Sequence, residues 1–504
     1  MVIIGERISL NDVEKVALCG EEVSISNKAI QAMRKCNKLL LSRVLKGEKV
    51  YGVTTGFGKL SDVNITKEES ELLQHNLIRS HSCGTGQYLS EEEVRAMMLL
   101  RAHMLAQGYS GVRVEVAELL CRLLNDGVYP AIPSQGSVGA SGDLVPLAHL
   151  ALVLIGEGTI IIDGKEHPSA EYFEKAGIAP IRLQAKEGLS LINGTQASTA
   201  IAVLATLKAS KLSLIADLAG AITLDALKGS DKAFDEQITF VRPYKGAIST
   251  AKNLQRLLYN SQIRKSHLEC SRIQDNYSIR CMPQVHGIVK DCIEFIKKML
   301  EIEINSITDN PILFSETNEI ISGGNFHGEP IAVLMDLLSI NMTELSNISE
   351  RRLFLLTDDP YKILPPFLIK EAGLNSGFMM AQVAAASLVS ENKVLSHPAC
   401  VDSIPTSANK EDYVSMSFHA ARKARTITDN TEKVLAFELL AGLQGIDFHK
   451  PLKSSPIIEK IRKIVRENIS FLDKDRVIAD DISTIIHLFD NIYRRLINNY
   501  HLLV

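Results

Sequence analysis

A mainly α-helical fold with a small mixed N-terminal domain is predicted by three observations on this chain of 504 residues. Beyond residue 190, apolar residues recur at helical spacing with few prolines, over about 196–228, 281–303, 328–356, 376–395 and 414–445. These runs read as an elongated helical bundle. Strand signals are sparse: a short strand opens the chain, and a small hairpin over 159–167 turns at Asp163-Gly164, the last appreciable β structure expected. With 46% apolar residues, the chain can bury a large core. The change of character divides it into an N-terminal domain, 1–192, and a long helical-bundle domain with the C-terminal helices, 193–504.

Taken in order, residues 1–20 read as strand and turn, and from Ser26 the spacing of Ile30, Met33, Leu39, Leu40 and Val44 predicts a first helix. Three glycines and two threonines make 51–58 a loop, whose Tyr51 either projects into a cavity or packs against the loop itself. Helices are expected over 66–82, with Gly84 and Gly86 as stop signals, then over 90–108 and 112–124. Pro130 and Pro133 lead into a small-residue turn at 136–147. In the C-terminal part, loops hold the polar clusters 193–195, 274–277, 323–327 and 409–412.

At the centre of 136–147 stands Ala140-Ser141-Gly142. These are the residue types a backbone cyclisation needs. Gly142 has no Cβ, so its nitrogen can approach the Ala140 carbonyl, and Ser141 carries a β-hydroxyl that can leave. Asp143 is positioned to cap a following helix over 144–155, which tolerates Pro146 in its first turn and ends at Gly156. The positive end of that helix then faces the tripeptide. On spacing alone, a Gly/Ser-rich turn before a buried helix explains the same residues.

Composition narrows the function classes. A net charge of −4 with no basic blocks argues against nucleic acid and leaves a small molecule as the expected ligand. Eight cysteines at 19, 36, 83, 121, 270, 281, 292 and 400 form no CxxC pair, which points to reduced thiols and a cytoplasmic setting. No basic segment leads a long apolar run at the N-terminus, and no apolar span is expected to cross a bilayer. There is no HExxH and no helical histidine pair with a third ligand, so no metal is expected. The Arg351-Arg352 pair after Glu350 reads as part of an inter-helix ion network.

Several separated stretches, in order, resemble the aromatic amino acid ammonia-lyases, most closely their histidine-specific branch. They are 51–58, 76–84, 136–147, 186–188, 193–196, 274–284, 305–311, 322–330, 364–367, 375–378, 396–398 and 402–412, with a further match around 270–281. The resemblance implies a bundle of the ammonia-lyase and fumarase/aspartase type, assembled as a homotetramer whose sites draw residues from three chains. It also implies that Ala140-Ser141-Gly142 condenses autocatalytically, losing two waters, into 4-methylidene-imidazole-5-one (MIO), with no external cofactor.

By position, Tyr51 resembles the family's catalytic tyrosine, which removes the β-proton as a phenolate. A free phenol has a pKa near 10, so the site must lower it. Arg280 matches the arginine that holds the substrate carboxylate, a task suited to its planar fork. Asn193, Gln274, Tyr277 and Phe326 match positions around the electrophile and the substrate amine. In isolation the amides suit caps or turns, Phe326 a core and Arg280 a surface ion pair.

Two positions bear on the substrate. Ser80-His81 matches the pair of the histidine-specific branch, where tyrosine-preferring relatives commonly have His-Leu and phenylalanine-preferring ones Phe-Leu, although some tyrosine aminomutases share it. Glu411 can pair with an imidazole where purely aromatic branches place glutamine. The implied reaction is elimination of ammonia from L-histidine to give trans-urocanate, the first step of histidine degradation. Tyrosine ammonia-lyase or aminomutase chemistry, or a catalytically silent binding paralogue, are the alternatives. One departure is Gly246-Ala247, where relatives commonly have Gly-Gln.

Overall fold

The computed structural model describes residues 1–66, 69–268 and 272–504. Lys67 and Glu68 of the expected helix over 66–82, and Cys270 of the match at 270–281, lie outside the described residues. The chain is mainly helical, with short two- and three-stranded sheets. It divides into two compact units, one of 1–205, 297–336 and 398–422, the other of 206–296, 337–397 and 423–504. Each unit is built from three segments, where the sequence suggests a single cut after residue 192.

In the first unit, a parallel pair Val2–Ile4 and Val23–Ile25 flanks helix α1, Leu10–Cys19. The sequence reading of 1–20 as strand and turn is corrected here. Leu10, Val13, Val16 and Ala17 form a buried stripe. Ser9 and Asp12 form a reciprocal capping box, and Gly20 closes the helix at φ 71°. Next come α2, Asn27–Leu45, α3, Ser70–His81, α4, Glu91–Ala106, and α5, Val114–Asn125, close to the expected spans. Helix α4 is buried on nearly every face although it carries Arg95, Arg101 and His103. Its charged groups therefore need internal partners; Arg95, for one, donates to the Val16 carbonyl at 2.7 Å and 2.9 Å.

Helix α6, Leu144–Leu154, starts directly after the tripeptide. Asp143 stands at its N-cap position, but its carboxylate does not cap α6. It accepts instead from the Ser198 N–H and hydroxyl, both at 2.6 Å. Ser198 lies in the first turn of the helix Gln196–Ala226, where backbone N–H groups have no intrahelical partner, so Asp143 satisfies that helix and ties the two starts together. The hairpin Thr159–Ile162 with Lys165–Pro168 forms as expected. A second hairpin, Ile312–Phe314 with Glu319–Ile321, overturns the expectation that β structure ends there. Its turn uses Asn318 at φ 58°, a left-handed conformation that asparagine tolerates.

The helices Met282–Glu303, Glu329–Thr357, Met379–Leu395 and Ser417–Asp447 follow the expected runs. Pro456–Asn468 and Ile478–Asn498 extend the second unit. Within that unit Arg352 forks onto Glu438 at 2.6 Å and 2.8 Å, both fully buried, which is the expected inter-helix ion network. The expectation of no bilayer-length apolar span is also corrected. Gln196–Ala226 and Glu329–Thr357 are long and apolar enough by length and composition. Their most apolar windows are 78% and 72% buried inside the protein, so that apolar surface packs as core.

Candidate active site

The first unit brings the tripeptide to the junction of two loops. Gly142, at φ 69°, forms a parallel bridge with Gly194. A Cβ on Gly142 would stand 2.1 Å from the Gly194 carbonyl oxygen, so only glycine allows this approach. The Asp143 N–H donates to the Gly194 carbonyl at 2.7 Å, and the Gly194 N–H donates to the Ser141 carbonyl at 3.4 Å. Asn193, with its amide oriented to satisfy both neighbours, donates to the same Ser141 oxygen at 3.1 Å and accepts from the Asn310 N–H at 2.8 Å. The Ser141 carbonyl thus faces two donors.

The Ser141 hydroxyl donates to Glu411 Oε1 at 3.2 Å. The other carboxylate oxygen accepts from Thr406 at 2.7 Å and Ser407 at 2.8 Å, which fixes its orientation. His81 ends α3, and its Nδ1 lies 2.9 Å from the Leu77 carbonyl and 3.0 Å from the Ser80 hydroxyl. A carbonyl only accepts, so Nδ1 carries the proton and Nε2 is the acceptor of the neutral ring. Burial pushes this imidazole below its usual pKa, which favours that neutral form.

Tyr51 resolves its two alternatives by doing both. Its hydroxyl accepts the Gly58 N–H at 3.0 Å and its ring meets Phe57 edge-on at 6.3 Å, while the residue also lines a cavity. Fully buried Gln74 of α3 holds this loop, donating to the Gly52 carbonyl at 3.0 Å and accepting from the Leu189 N–H at 3.1 Å.

The cavity measures about 730 Å³, and Tyr51, His81, Ser141, Asn193, Phe326 and Glu411 all line it. Leu60, Leu73, Leu144 and Ile192 are among the apolar residues of its wall. A second cavity of about 390 Å³ reaches Ala140 and Gly142 and shares His81, Ser141 and Glu411 with the first. Six separated sequence positions therefore meet in one space suited to a small amphipathic molecule.

The surrounding charges are buried, and Lys186 and Asp309 form an ion pair. Burial drives the Asp143 carboxyl up to about 6 against the pull of its Ser198 hydrogen bonds. Burial would also raise Asp309, but the Lys186 ammonium 2.6 Å away brings its carboxyl below the usual range. Burial lowers Arg101 to about 10.

Gln274, Tyr277 and Arg280 belong to the second unit, whereas the cavity is lined by the first unit alone. Gln274 is exposed, and Tyr277 is 71% exposed at the start of the one-turn helix Tyr277–Arg280. The Arg280 guanidinium stacks over the Tyr277 ring, 4.6 Å from its centroid, and its Nε has no hydrogen-bond partner. Sequence reasoning did not single out Gln74, Asn310, Thr406 or Ser407, which hold the others in place. Asn310, Thr406 and Ser407 lie in stretches that resemble the ammonia-lyases, 305–311 and 402–412, while Gln74 carries no signal. Among the described residues, no cluster of three or more His, Cys, Asp or Glu is arranged to hold a metal.

The tripeptide and its surroundings fit ring closure to an imidazolone. Gly142 has no Cβ at the tightest approach, the Ser141 hydroxyl is engaged by a carboxylate, and two donors converge on the Ser141 carbonyl.

The sequence profile of the aromatic amino acid lyase family matches residues 8–467. A histidine ammonia-lyase of Caldanaerobacter subterraneus subsp. tengcongensis is 50% identical over 483 residues, 96% of this chain and 95% of that one. Among solved structures, histidine ammonia-lyase from Trypanosoma cruzi superposes with a TM-score of 0.92 at 40% identity, covering 99% of this chain and 95% of that one. Tyrosine aminomutase from Streptomyces globisporus gives a TM-score of 0.93 at 35% identity, covering 99% and 98%.

Proposed function

The chain belongs to the aromatic amino acid lyase family, and from that premise we propose that it eliminates ammonia from L-histidine to give trans-urocanate, opening histidine degradation. The observation that carries this reading is the meeting of Tyr51, His81 and Glu411 with Ser141 in one cavity. A carboxylate and a neutral imidazole there offer polar partners to an imidazole side chain; facing a phenyl ring, the same carboxylate would be desolvated without compensation.

Elimination needs an electrophile to activate the amine and a base for the β-proton. Standard side chains supply no electrophile, and an MIO formed from Ala140-Ser141-Gly142 would supply one. Tyr51 is the base in this reading, supported by its place on the cavity wall and by the Gly58 N–H, which holds its phenol oxygen in place. Asn193 and the Gly194 N–H stabilise negative charge at the Ser141 carbonyl oxygen. Glu411 accepts a hydrogen bond from the substrate imidazole, and His81 and Phe326 shape its pocket.

Gln274, Tyr277 and Arg280 would complete the site from another copy in a homotetramer, with Arg280 binding the substrate carboxylate as a two-point fork. A cytoplasmic setting is supported by the seven described cysteines, all free thiols. The likeness to tyrosine aminomutase favours a second reading in which the substrate is L-tyrosine.

Competing L-histidine against L-tyrosine tests both, with urocanate absorbance read against coumarate and β-tyrosine. The expected result is urocanate and ammonia from histidine; coumarate or β-tyrosine alone would favour the second reading. Intact mass should show the loss of two waters, and an unmodified mass would remove the MIO chemistry. Tyr51→Phe should keep the two-water loss relative to its own sequence and lose about 10²–10⁴-fold in kcat, the range of a positioned general base.

A further inference from the structure

Arg101 is fully buried in α4 and lines neither cavity around the tripeptide. Its Nη1 donates to two carbonyls, Ser190 and Asn193, each at 3.0 Å. These belong to the end of the helix Glu187–Ile192 and to its C-cap residue. Nη2 and Nε have no hydrogen-bond partner, and Nη2 lies 3.1 Å from where a Cβ on Gly194 would stand. Asp143 and Asp309 are the nearby acids that support its charge.

A buried guanidinium with unpaired nitrogens is costly, and capping a helix end does not require one. The place it occupies has a more specific meaning. The two groups that donate to the Ser141 carbonyl are the Asn193 side chain and the Gly194 N–H. Arg101 grips the backbone carbonyl of Asn193, which lies between those two donors along the chain. Asn310 and the Lys186–Asp309 pair brace the side-chain end, since Asn310 N–H holds the Asn193 amide and Asp309 accepts from Lys186 and Ser190.

We propose that Arg101 is a positioning residue that locks the Asn193–Gly194 loop against the tripeptide, so that both donors stay aimed at the Ser141 carbonyl oxygen. It touches no reacting atom. Both bonds leave Nη1, whose two N–H groups are fixed in the guanidinium plane, whereas a lysine ammonium is a flexible point charge that retains the cation without that fixed direction. This inference rests on the proposed elimination for its kinetic consequence, but its effect on the tripeptide is independent of substrate.

The test is Arg101→Lys, purified alongside the parent, with intact mass, thermal melting, and kcat and KM for L-histidine. Folded lysine variant should contain a larger share of chains that retain one or both waters. Per mature site, its kcat should fall roughly tenfold or more, with KM within about threefold. A merely structural arginine would lower the melting temperature and leave kcat per mature site unchanged. Full loss of two waters with an unchanged kcat, or a rise in KM alone, would overturn the proposal. If the lysine variant does not fold, Arg101→Gln is measured in the same way, and failure of both to fold counts against positioning and for a purely structural role. A parent that loses two waters yet leaves L-histidine untouched refutes the histidine reading, while the mass comparison still judges Arg101.

Discussion

Replacing Asn193 by alanine separates two contributions that this side chain makes. One amide end donates to the Ser141 carbonyl at 3.1 Å, and the other accepts the Asn310 N–H at 2.8 Å. Loss of a single donor to an oxygen that gains charge in a transition state costs about 3–4 kcal/mol, or 10²–10³ in kcat. The Gly194 N–H, at 3.4 Å, is the longer of the two contacts and compensates little. Loss of the acceptor removes one of two partners of the buried Asn310 N–H, which keeps its bond to Asp309 Oδ1 at 2.7 Å, at a cost of about 0.5–1.5 kcal/mol in stability. Kinetics by urocanate absorbance should therefore show a fall of 10²–10³ in kcat with a small change in KM, and melting curves should show a lower midpoint. Intact mass normalises the rate to mature sites. A folded, mature Asn193→Ala protein with kcat within about threefold of the parent would refute the assignment of this amide as a charge-stabilising donor.

Two further outcomes rest on other parts of the structure. Gly142→Ala should abolish the loss of two waters, because the added Cβ would meet the Gly194 carbonyl at 2.1 Å in a left-handed backbone conformation; full water loss in its intact mass would contradict the geometry. His103, buried in α4, is lowered by burial from 6.5 to about 4 and accepts the Gly5 N–H through Nδ1. Its folded pKa lies below the unfolded one, so its contribution is complete above pH 6.5 and is lost as pH falls toward 4, amounting to about 3 kcal/mol. Asp143 and Asp225, each raised to about 6 by burial, act in the opposite direction over that window. The comparison is therefore drawn between the parent and His103→Gln in denaturant titrations from pH 4 to 7. The variant should lose less stability on acidification, and parallel curves would exclude His103 as the source.

The long helices were legible because their apolar residues keep helical spacing over many turns. Helix α1 was missed because its ten residues carry only four buried positions among Asn, Asp, Glu and Lys, and its identity depends on caps at Ser9 and Gly20. Asp143 was assigned to the wrong helix for a related reason. A cap is inferred from the residue that follows, yet its carboxylate found better donors at Ser198. At the site, Tyr51, His81, Asn193, Phe326 and Glu411 were legible by resemblance, and the fold brings them to one cavity with Ser141. Gln74 and Arg101 were not, because their meaning lies in carbonyls and N–H groups far along the chain that no local pattern announces.

The bridge between Gly142 and Gly194 has a consequence for when the tripeptide can react. A nascent chain that has not reached Gly194 lacks the surface that confines Gly142, and an unfolded full-length chain has it only by chance encounter. The reactive conformation is therefore a product of tertiary folding, acquired after both loops exist and have met. On the proposed chemistry, water loss from Ala140-Ser141-Gly142 would be a covalent timestamp: each chain carrying it would record that its first unit has folded at least once.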